Sequence, residues 1–191
     1  MTSTLHKTFI PEVTDLSADG SGQFVVATLK TIDLDGDVTM PGFFGKQSVA
    51  LLPAHDHTHV PLGKGKLFER GDKALVEFQF NLKVTAARDW FEAIKFDFEH
   101  PPALQQYSYG YRTYPDGHRK GTWNGRTANI LQPRKDGSPG AYVFEVSPVL
   151  LAAGISTRTT TVTGSQRGDS VAEGELAGEY LRFVYLMHGG T

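Results

Sequence analysis

Apolar and polar residues alternate in short runs along most of this chain, which predicts a β-rich fold. Glycine (21 residues) and proline (10 residues) separate these runs, as is typical of turns between short strands. Gly71 and Asp72 stand between two of the runs and predict a hairpin turn. The predicted strands cover residues 23–32, 49–53, 62–69, 73–82, 104–114, 126–133 and 141–151.

One segment has a helical period instead. Trp90, Ile94 and Phe98 recur every four residues, so they share one face of a helix predicted over residues 85–98. Thr85 can cap the amino end of this helix. Together the elements predict a β-rich α+β fold, with an antiparallel sheet closed into a β-barrel and one or two helices outside it.

The last part of the chain differs in composition. Residues 164–179 (GSQRGDSVAEGELAGE) contain no aromatic residue and little apolar bulk, which is typical of a linker or tail. Residues 179–188 fit a terminal helix or a strand. We therefore divide the chain into one domain over residues 1–163 and a linker with a C-terminal tail over residues 164–191.

Composition excludes several classes of protein. With 191 residues, 39% of them hydrophobic, the chain can bury the core of one globular domain. A net charge of −2 argues against a protein that coats nucleic acid, and the absence of cysteine excludes disulfides, thiolate catalysis and cysteine–zinc sites. No secretory signal and no apolar run of bilayer length is present, so we expect a cytosolic location without membrane contact.

The stretch QQYSYGYRTY combines large aromatic and very small residues. Tyr107, Tyr109 and Tyr111 alternate with Ser108 and Gly110, which is the period of a β-strand. The tyrosines then share one face, which we expect to face the interior or a subunit contact. The Ser108 hydroxyl lies on the other face, where the glycine leaves room for a substrate.

A histidine cluster follows in the stretch PAHDHTHVPLGKG. His55, His57 and His59 occupy alternate positions, and histidine moves protons readily near neutral pH. The three could also bind a metal ion if the acidic run Asp33–Asp37 supplied a further ligand. The plain alternatives are a polar loop for the histidines and an aspartate- and glycine-rich turn for the acidic run.

The stretch AYVFEVSPV carries a carboxylate inside an apolar strand. Strict alternation puts Val143, Glu145 and Ser147 on one face of this strand. A buried Glu145 would need a partner such as a histidine N–H, because an unpaired buried charge is costly. The alternative is an edge strand on which Glu145 faces water.

These residues can be combined into an acyl-transfer triad. Ser108 would be the nucleophile, His55 its base and Glu145 the group that orients the imidazole. Gly154, in the turn after the Glu145 strand, could donate a backbone N–H to an oxyanion. No G-x-S-x-G motif is present, which disfavours an α/β-hydrolase. Spacing alone does not select this triad, because its residue types are common.

Four motifs carry a resemblance to a known family. They are ATLKTIDLDGDVTMPGFFG (27–45), LLPAHDHTHVPLGKGKLFE (51–69), YSYGY (107–111) and EVSPVLLAAG (145–154). In this order they resemble the prohead (procapsid) maturation serine proteases of tailed bacteriophages, which are distant relatives of the herpesvirus capsid protease, assemblin. The resemblance spans about residues 23–160.

The resemblance implies roles for individual residues. The family's catalytic histidine precedes the aspartate of an "HD" pair, which corresponds to His55, and its nucleophile is the serine of S-x-G, which corresponds to Ser108. The acidic third member corresponds to Glu145, where the herpesvirus relatives use a second histidine. The turn at Ala153 and Gly154 corresponds to the loop that supplies the oxyanion N–H.

The resemblance also implies a fold and a biological role. It implies a herpesvirus-protease-like β-barrel with surrounding helices, and a serine endopeptidase that needs no metal or organic cofactor. Its substrates would be extensions of the phage major capsid protein or the scaffold protein, cleaved inside the assembling prohead in the host cytoplasm. Residues 164–179 are a candidate self-cleavage region or tether, and we expect a homo-oligomer such as the dimers of the herpesvirus relatives.

Several alternatives remain open at this point. His57 departs from the family pattern and is a rival base, and a metal-dependent hydrolase could use His55, His57 and His59. A capsid-assembly or scaffold module could keep the fold without turnover. The stretch 112–135 holds six basic residues and one acid, Asp116. We interpret it as a solvated loop or a dock for an acidic scaffold rather than a nucleic-acid site.

Overall fold

The computed structural model describes residues 5–9, 13–16, 19–33, 35–100 and 103–149. The predicted linker and tail, the terminal helix or strand at 179–188, and the domain boundary at 163 all lie outside the described residues. Within them the chain forms β1 (Leu5–Phe9), β2 (Val13–Leu16), β3 (Ser21–Thr28), β4 (Asp37–Thr39), β5 (Gln47–Leu51), β6 (Gly63–Arg70), β7 (Lys73–Phe80), α1 (Thr85–Glu99), β8 (Gln106–Thr113), β9 (His118–Trp123), β10 (Arg126–Leu131) and β11 (Ala141–Val149).

Eight strands form one curled sheet. Their order is β1-β8-β11-β5-β6-β7-β3-β2, so the two edge strands follow each other in the chain. The Phe24 ring of β3 stacks on the Tyr107 ring of β8 with 3.9 Å between centroids, which joins strands from opposite halves of the sheet. The described part of the chain is therefore a β-rich α+β half-barrel with one helix. A specific herpesvirus-protease-like barrel stays a prediction.

The sequence pattern predicted a purely antiparallel sheet, but two of the strand pairs are parallel. β11 pairs with β5 in parallel, and in the separate small sheet, of order β4-β10-β9, β10 pairs with β4 in parallel. Most other pairings are antiparallel, including the two-residue hairpin at Gly71 and Asp72, where Arg70 lies opposite Lys73. The predicted hairpin is thus confirmed, whereas the uniform strand direction is wrong.

The helix is confirmed, with two corrections. Val84 precedes the first turn and no side chain caps it, so the predicted cap at Thr85 is wrong. The buried face is centred on Ala87, Phe91 and Ile94, whereas the predicted stripe residues Trp90 and Phe98 are half-buried at its margins. In the described residues no helix is both long and apolar enough to cross a membrane.

The tyrosines of β8 face the interior, as predicted. Tyr107, Tyr109 and Tyr111 are at most 1% exposed. Phe44 packs edge-on against Tyr109, with ring centroids 5.3 Å apart. Each such aromatic pair stabilises the fold by about 0.5–1.5 kcal/mol beyond the contribution of the buried apolar area. β8 is therefore anchored firmly by one face, which fixes the position of its other face.

Candidate active site

β8 and β11 bring two of the candidate residues to one face of the sheet. Ser108 lies directly opposite Ser147 in the antiparallel pair, and Gly110 lies opposite Glu145. Directly opposed residues of antiparallel strands project to the same side. These four positions therefore share the face of the sheet that points away from the buried tyrosines.

A β-bulge gives Glu145 this orientation. The pairing register shifts between Val143 and Glu145, so Val143 lies opposite Tyr111 and is fully buried in the core. The prediction that Val143 shares a face with Glu145 and Ser147 is thus wrong, because Phe144 is an extra residue in the bulge. Bulges commonly redirect side chains next to functional sites, and this one turns a carboxylate away from the core.

Gly110 leaves room for neighbouring side chains. A β-carbon at this position would lie 2.5 Å from the Phe144 ring and even nearer to the Glu145 Oε1 atom. The space that we expected to admit a substrate is therefore filled by the chain's own carboxylate and aromatic ring. The glycine is needed so that Glu145 can lie close to β8.

His55 lies in the loop after β5, in an uncommon backbone conformation. Ala54 has φ of 45° and His55 has φ of 62°, and for residues with a β-carbon this left-handed region costs about 1–3 kcal/mol. Two hydrogen bonds to β11 hold the loop: the Ala54 N–H donates to the Pro148 carbonyl at 3.2 Å, and the His55 N–H donates to Ser147 Oγ at 3.1 Å. The strained backbone thereby directs the imidazole toward β11.

The His55 ring contacts the Glu145 carboxylate. His55 Nδ1 is 2.8 Å from Glu145 Oε1, and the Ser147 hydroxyl donates to Glu145 Oε2 at 2.6 Å. The Glu145 side chain is 1% exposed and that of His55 is 22% exposed, so the alternative of a water-facing glutamate is wrong. With Nδ1 directed at the carboxylate, Nε2 is the nitrogen that would exchange a proton with a nucleophile.

The other two histidines lie elsewhere. His57 is exposed, and its ring is 5.9 Å from the Phe144 ring. His59 Nδ1 is 2.7 Å from Asp56 Oδ2 in an exposed pair. The Thr58 hydroxyl and N–H donate to Asp56 Oδ1 and lower the pKa of that carboxyl. The three rings therefore make different contacts: His55 with Glu145, His57 with Phe144 and His59 with Asp56.

The geometry does not fit the metal-hydrolase alternative. No group of three or more histidine, aspartate or glutamate side chains in the described part of the chain is placed to hold a metal ion. Asp33 Oδ1 instead accepts the N–H groups of Asp35 and Asp37, at 3.1 and 2.8 Å. The acidic run thus forms the aspartate- and glycine-rich turn that was its plain interpretation.

Ser147 is a site residue that the sequence did not single out. Its hydroxyl accepts from the His55 backbone and donates to Glu145, and the residue is fully buried. The signal was present in the E-x-S spacing, because residues two apart on a strand project from the same face. Serine is common in strands, so its presence at this position did not by itself indicate a functional role.

Access to Ser108 is restricted in this conformation, since the residue is 0% exposed. Ala153 and Gly154, which were predicted to donate the oxyanion N–H, lie outside the described residues. The described residues thus bring together His55, Glu145 and Ser147 on the face that carries Ser108.

Comparisons with protein-family models, with curated proteins and with solved structures returned no significant match to this chain.

Proposed function

We propose that this chain is a serine endopeptidase with Ser108 as nucleophile, His55 as general base and Glu145 as the residue that orients the base. The observation that carries the proposal is the contact of 2.8 Å between His55 Nδ1 and the buried Glu145 carboxylate, on the face of the sheet that carries Ser108. A base held by an acid beside a serine is the arrangement that activates a hydroxyl for acyl transfer.

Ser108 Oγ would attack the carbonyl carbon of the scissile peptide bond while His55 Nε2 takes the hydroxyl proton. The Glu145 carboxylate would stabilise the imidazolium, which then gives its proton to the leaving amine. A water molecule would hydrolyse the acyl-enzyme by the same proton route in reverse. The turn at Ala153 and Gly154 is assigned the oxyanion N–H by the family resemblance alone.

The proposed biological role follows from the four ordered motifs. The enzyme cleaves extensions of the phage major capsid protein or the scaffold protein, and residues 164–179 of its own chain, inside the assembling prohead in the host cytoplasm. It has the herpesvirus-protease-like barrel and acts as a homo-oligomer. The curled sheet and the polar network of β11 are compatible with this assignment.

A second candidate function is a capsid-assembly module that keeps the fold without turnover. The complete burial of Ser108 favours it, because a substrate carbonyl has to reach the hydroxyl. The protease proposal requires that the cover over this part of β8 opens before a peptide binds.

Substitution of Ser108 by alanine in the virus that encodes this chain separates the two functions. We expect particles that retain full-length capsid or scaffold protein, measured by gel electrophoresis and intact-mass spectrometry of purified proheads. The matched control is Ser48→Ala, at an exposed position of β5, which should mature like the parent. Normal processing in the Ser108→Ala particles would exclude the protease and support the assembly module.

A further inference from the structure

The small sheet borders a cleft of about 380 Å³ that lies outside the catalytic network. Its lining residues come from the segment after β4, from β9 and β10, and from the loop that follows β10. They are Met40, Pro41, Arg119, Trp123, Ile130, Gln132, Pro133 and Lys135. The cleft is at the small end of the range for ligand pockets and is open to an apolar side chain.

Gly121 lies beside the cleft, next to two of its lining residues, Arg119 and Ile130. A β-carbon on Gly121 would lie 2.7 Å both from Arg119 Nη1 and from Ile130 Cδ1. Arg119 Nε donates to the neutral Gln132 Oε1 at 3.0 Å, so the guanidinium is held at the cleft without loss of its charge. The cleft thus combines an apolar wall with a fixed cation.

The positive charge around the cleft is not neutralised. The nearby acids Asp116 and Asp136 both pair with Arg134, at 3.0 and 3.8 Å. Within the described residues, four basic residues of this region form no ion pair with a carboxylate: Arg119, Lys120, Arg126 and Lys135. An unpaired cluster of cations attracts an anionic partner.

Trp123 supplies an unsatisfied hydrogen-bond donor. Its Nε1 is buried and has no hydrogen-bond partner in the described part of the chain, although a buried tryptophan N–H normally has one. Because this N–H is buried, it is closed to a ligand in the cleft, and Trp123 lines the cleft with its other atoms.

We propose that this cleft binds an acidic peptide segment. One bulky aliphatic or aromatic side chain of the peptide enters between Trp123 and Pro133, and the flanking carboxylates contact Arg119 and Lys135. β9 is the edge strand of the small sheet, which suits an extended peptide. This binding does not require catalysis by Ser108.

The lining favours a peptide over single-stranded nucleic acid. Nucleic-acid grooves offer several aromatic rings on which bases stack. Among the described residues that line this cleft, Trp123 is the one aromatic residue, and the other apolar walls are Met40, Pro41, Ile130 and Pro133. The aliphatic walls can pack against one apolar side chain of the peptide, and the cations can pair with the peptide carboxylates on either side of it.

Fluorescence anisotropy with the full chain tests the proposal. The probe is a fluorescein-labelled synthetic peptide with a central leucine flanked on both sides by runs of glutamate. We expect the double variant R119E/K135E to weaken binding about tenfold or more, because it reverses both cations at the rim. Gly121→Val, whose side chain would displace the lining residues Arg119 and Ile130, should weaken binding similarly. The control Lys83→Glu, at an exposed position between β7 and α1, should change binding less than about twofold.

Two altered peptides test the same contacts on the unaltered protein, so the result does not depend on how the variants fold. Replacement of the glutamates by glutamines, or of the leucine by serine, should each weaken binding about tenfold. Equal binding of all three peptides would overturn the proposal. Tighter binding of a single-stranded oligonucleotide, lost in R119E/K135E, would overturn it in favour of a nucleic-acid site.

Discussion

Ser147 connects the two residues on which the proposed chemistry depends. Its hydroxyl accepts the His55 N–H at 3.1 Å, which stabilises the left-handed backbone of the loop, and donates to Glu145 at 2.6 Å, which fixes the carboxylate. Because the residue is fully buried, water does not replace these bonds when the hydroxyl is removed. In the proposed mechanism Ser147 is therefore a positioning residue that acts through His55 and Glu145.

The pair Ser147→Thr and Ser147→Val tests this role. Threonine and valine have nearly the same shape, so both add the same methyl group to a buried site, but only threonine keeps the hydroxyl. We expect the valine variant to react with a fluorophosphonate at Ser108 about 10–100-fold more slowly than the threonine variant, which is the loss found when a hydrogen-bond partner that orients a metal-binding histidine is removed. The measurement is the rate of adduct formation, followed by intact-mass spectrometry. Equal rates would show that the serine only fills space.

The pairing of His55 with Glu145 could be anticipated from the sequence, because a carboxylate in an apolar strand needs a hydrogen-bond donor. The backbone conformation of the loop that carries His55 could not be anticipated from the sequence. Left-handed φ values usually fall on glycine or asparagine, and here they fall on Ala54 and His55 because hydrogen bonds from β11 outweigh the local cost. Contacts from a distant strand leave no local signature in the sequence.

At the scale of elements, β8 follows its sequence pattern and β11 does not. Alternation of tyrosine with small residues predicted the buried face of β8, because one face of a strand packs on the core. The bulge in β11 is a property of the pair, since its register depends on the partner strand. The pattern did not predict β1, β2, β4 and β9. Of these, β4 is three residues long and β9 is largely polar (HRKGTW), so both depend on pairing with β10.

The buried tyrosines of β8 make the free energy of unfolding depend on pH in the alkaline range. Burial raises the pKa of Tyr107, Tyr109 and Tyr111 well above the usual range. Below about pH 10 both the folded and the unfolded chain keep these phenols protonated, so stability is unaffected. Above it, the unfolded chain loses these protons and the folded chain retains them, so the free energy of unfolding falls by about 1.4 kcal/mol per pH unit for each tyrosine.

Urea unfolding between pH 9 and 12 measures this slope. We expect Tyr109→Phe, which keeps the ring and removes one buried phenol, to lower the slope by about 1.4 kcal/mol per pH unit relative to the parent. Tyrosinate absorbance should show the remaining buried phenols ionising only together with unfolding. A slope that is the same in parent and variant would mean that the Tyr109 phenol ionises as readily in the folded chain as in the unfolded one.

At the scale of the whole molecule, the parallel pairing of β5 with β11 assembles the site. Parallel neighbours end at the same edge of a sheet, so the loop after β5 lies beside the second half of β11, and the Leu52 N–H donates to the Val146 carbonyl there. This brings together His55 and Glu145, which are 90 residues apart in the chain. Strand order over such separations is set by packing of the complete sheet, which explains why local periodicity predicted the strands but not their order.

The most direct test of the proposed activity is covalent labelling of the purified chain with a fluorophosphonate, with the adduct located by peptide mass spectrometry. His55→Ala and His57→Ala are the matched variants, because both replace a histidine of the same loop and the His55 ring is the one that lies 2.8 Å from Glu145 Oε1. We expect an adduct on Ser108 that is lost in His55→Ala and retained in His57→Ala. An adduct on another residue, no adduct on Ser108, or a Ser108 adduct that persists in His55→Ala would contradict this expectation.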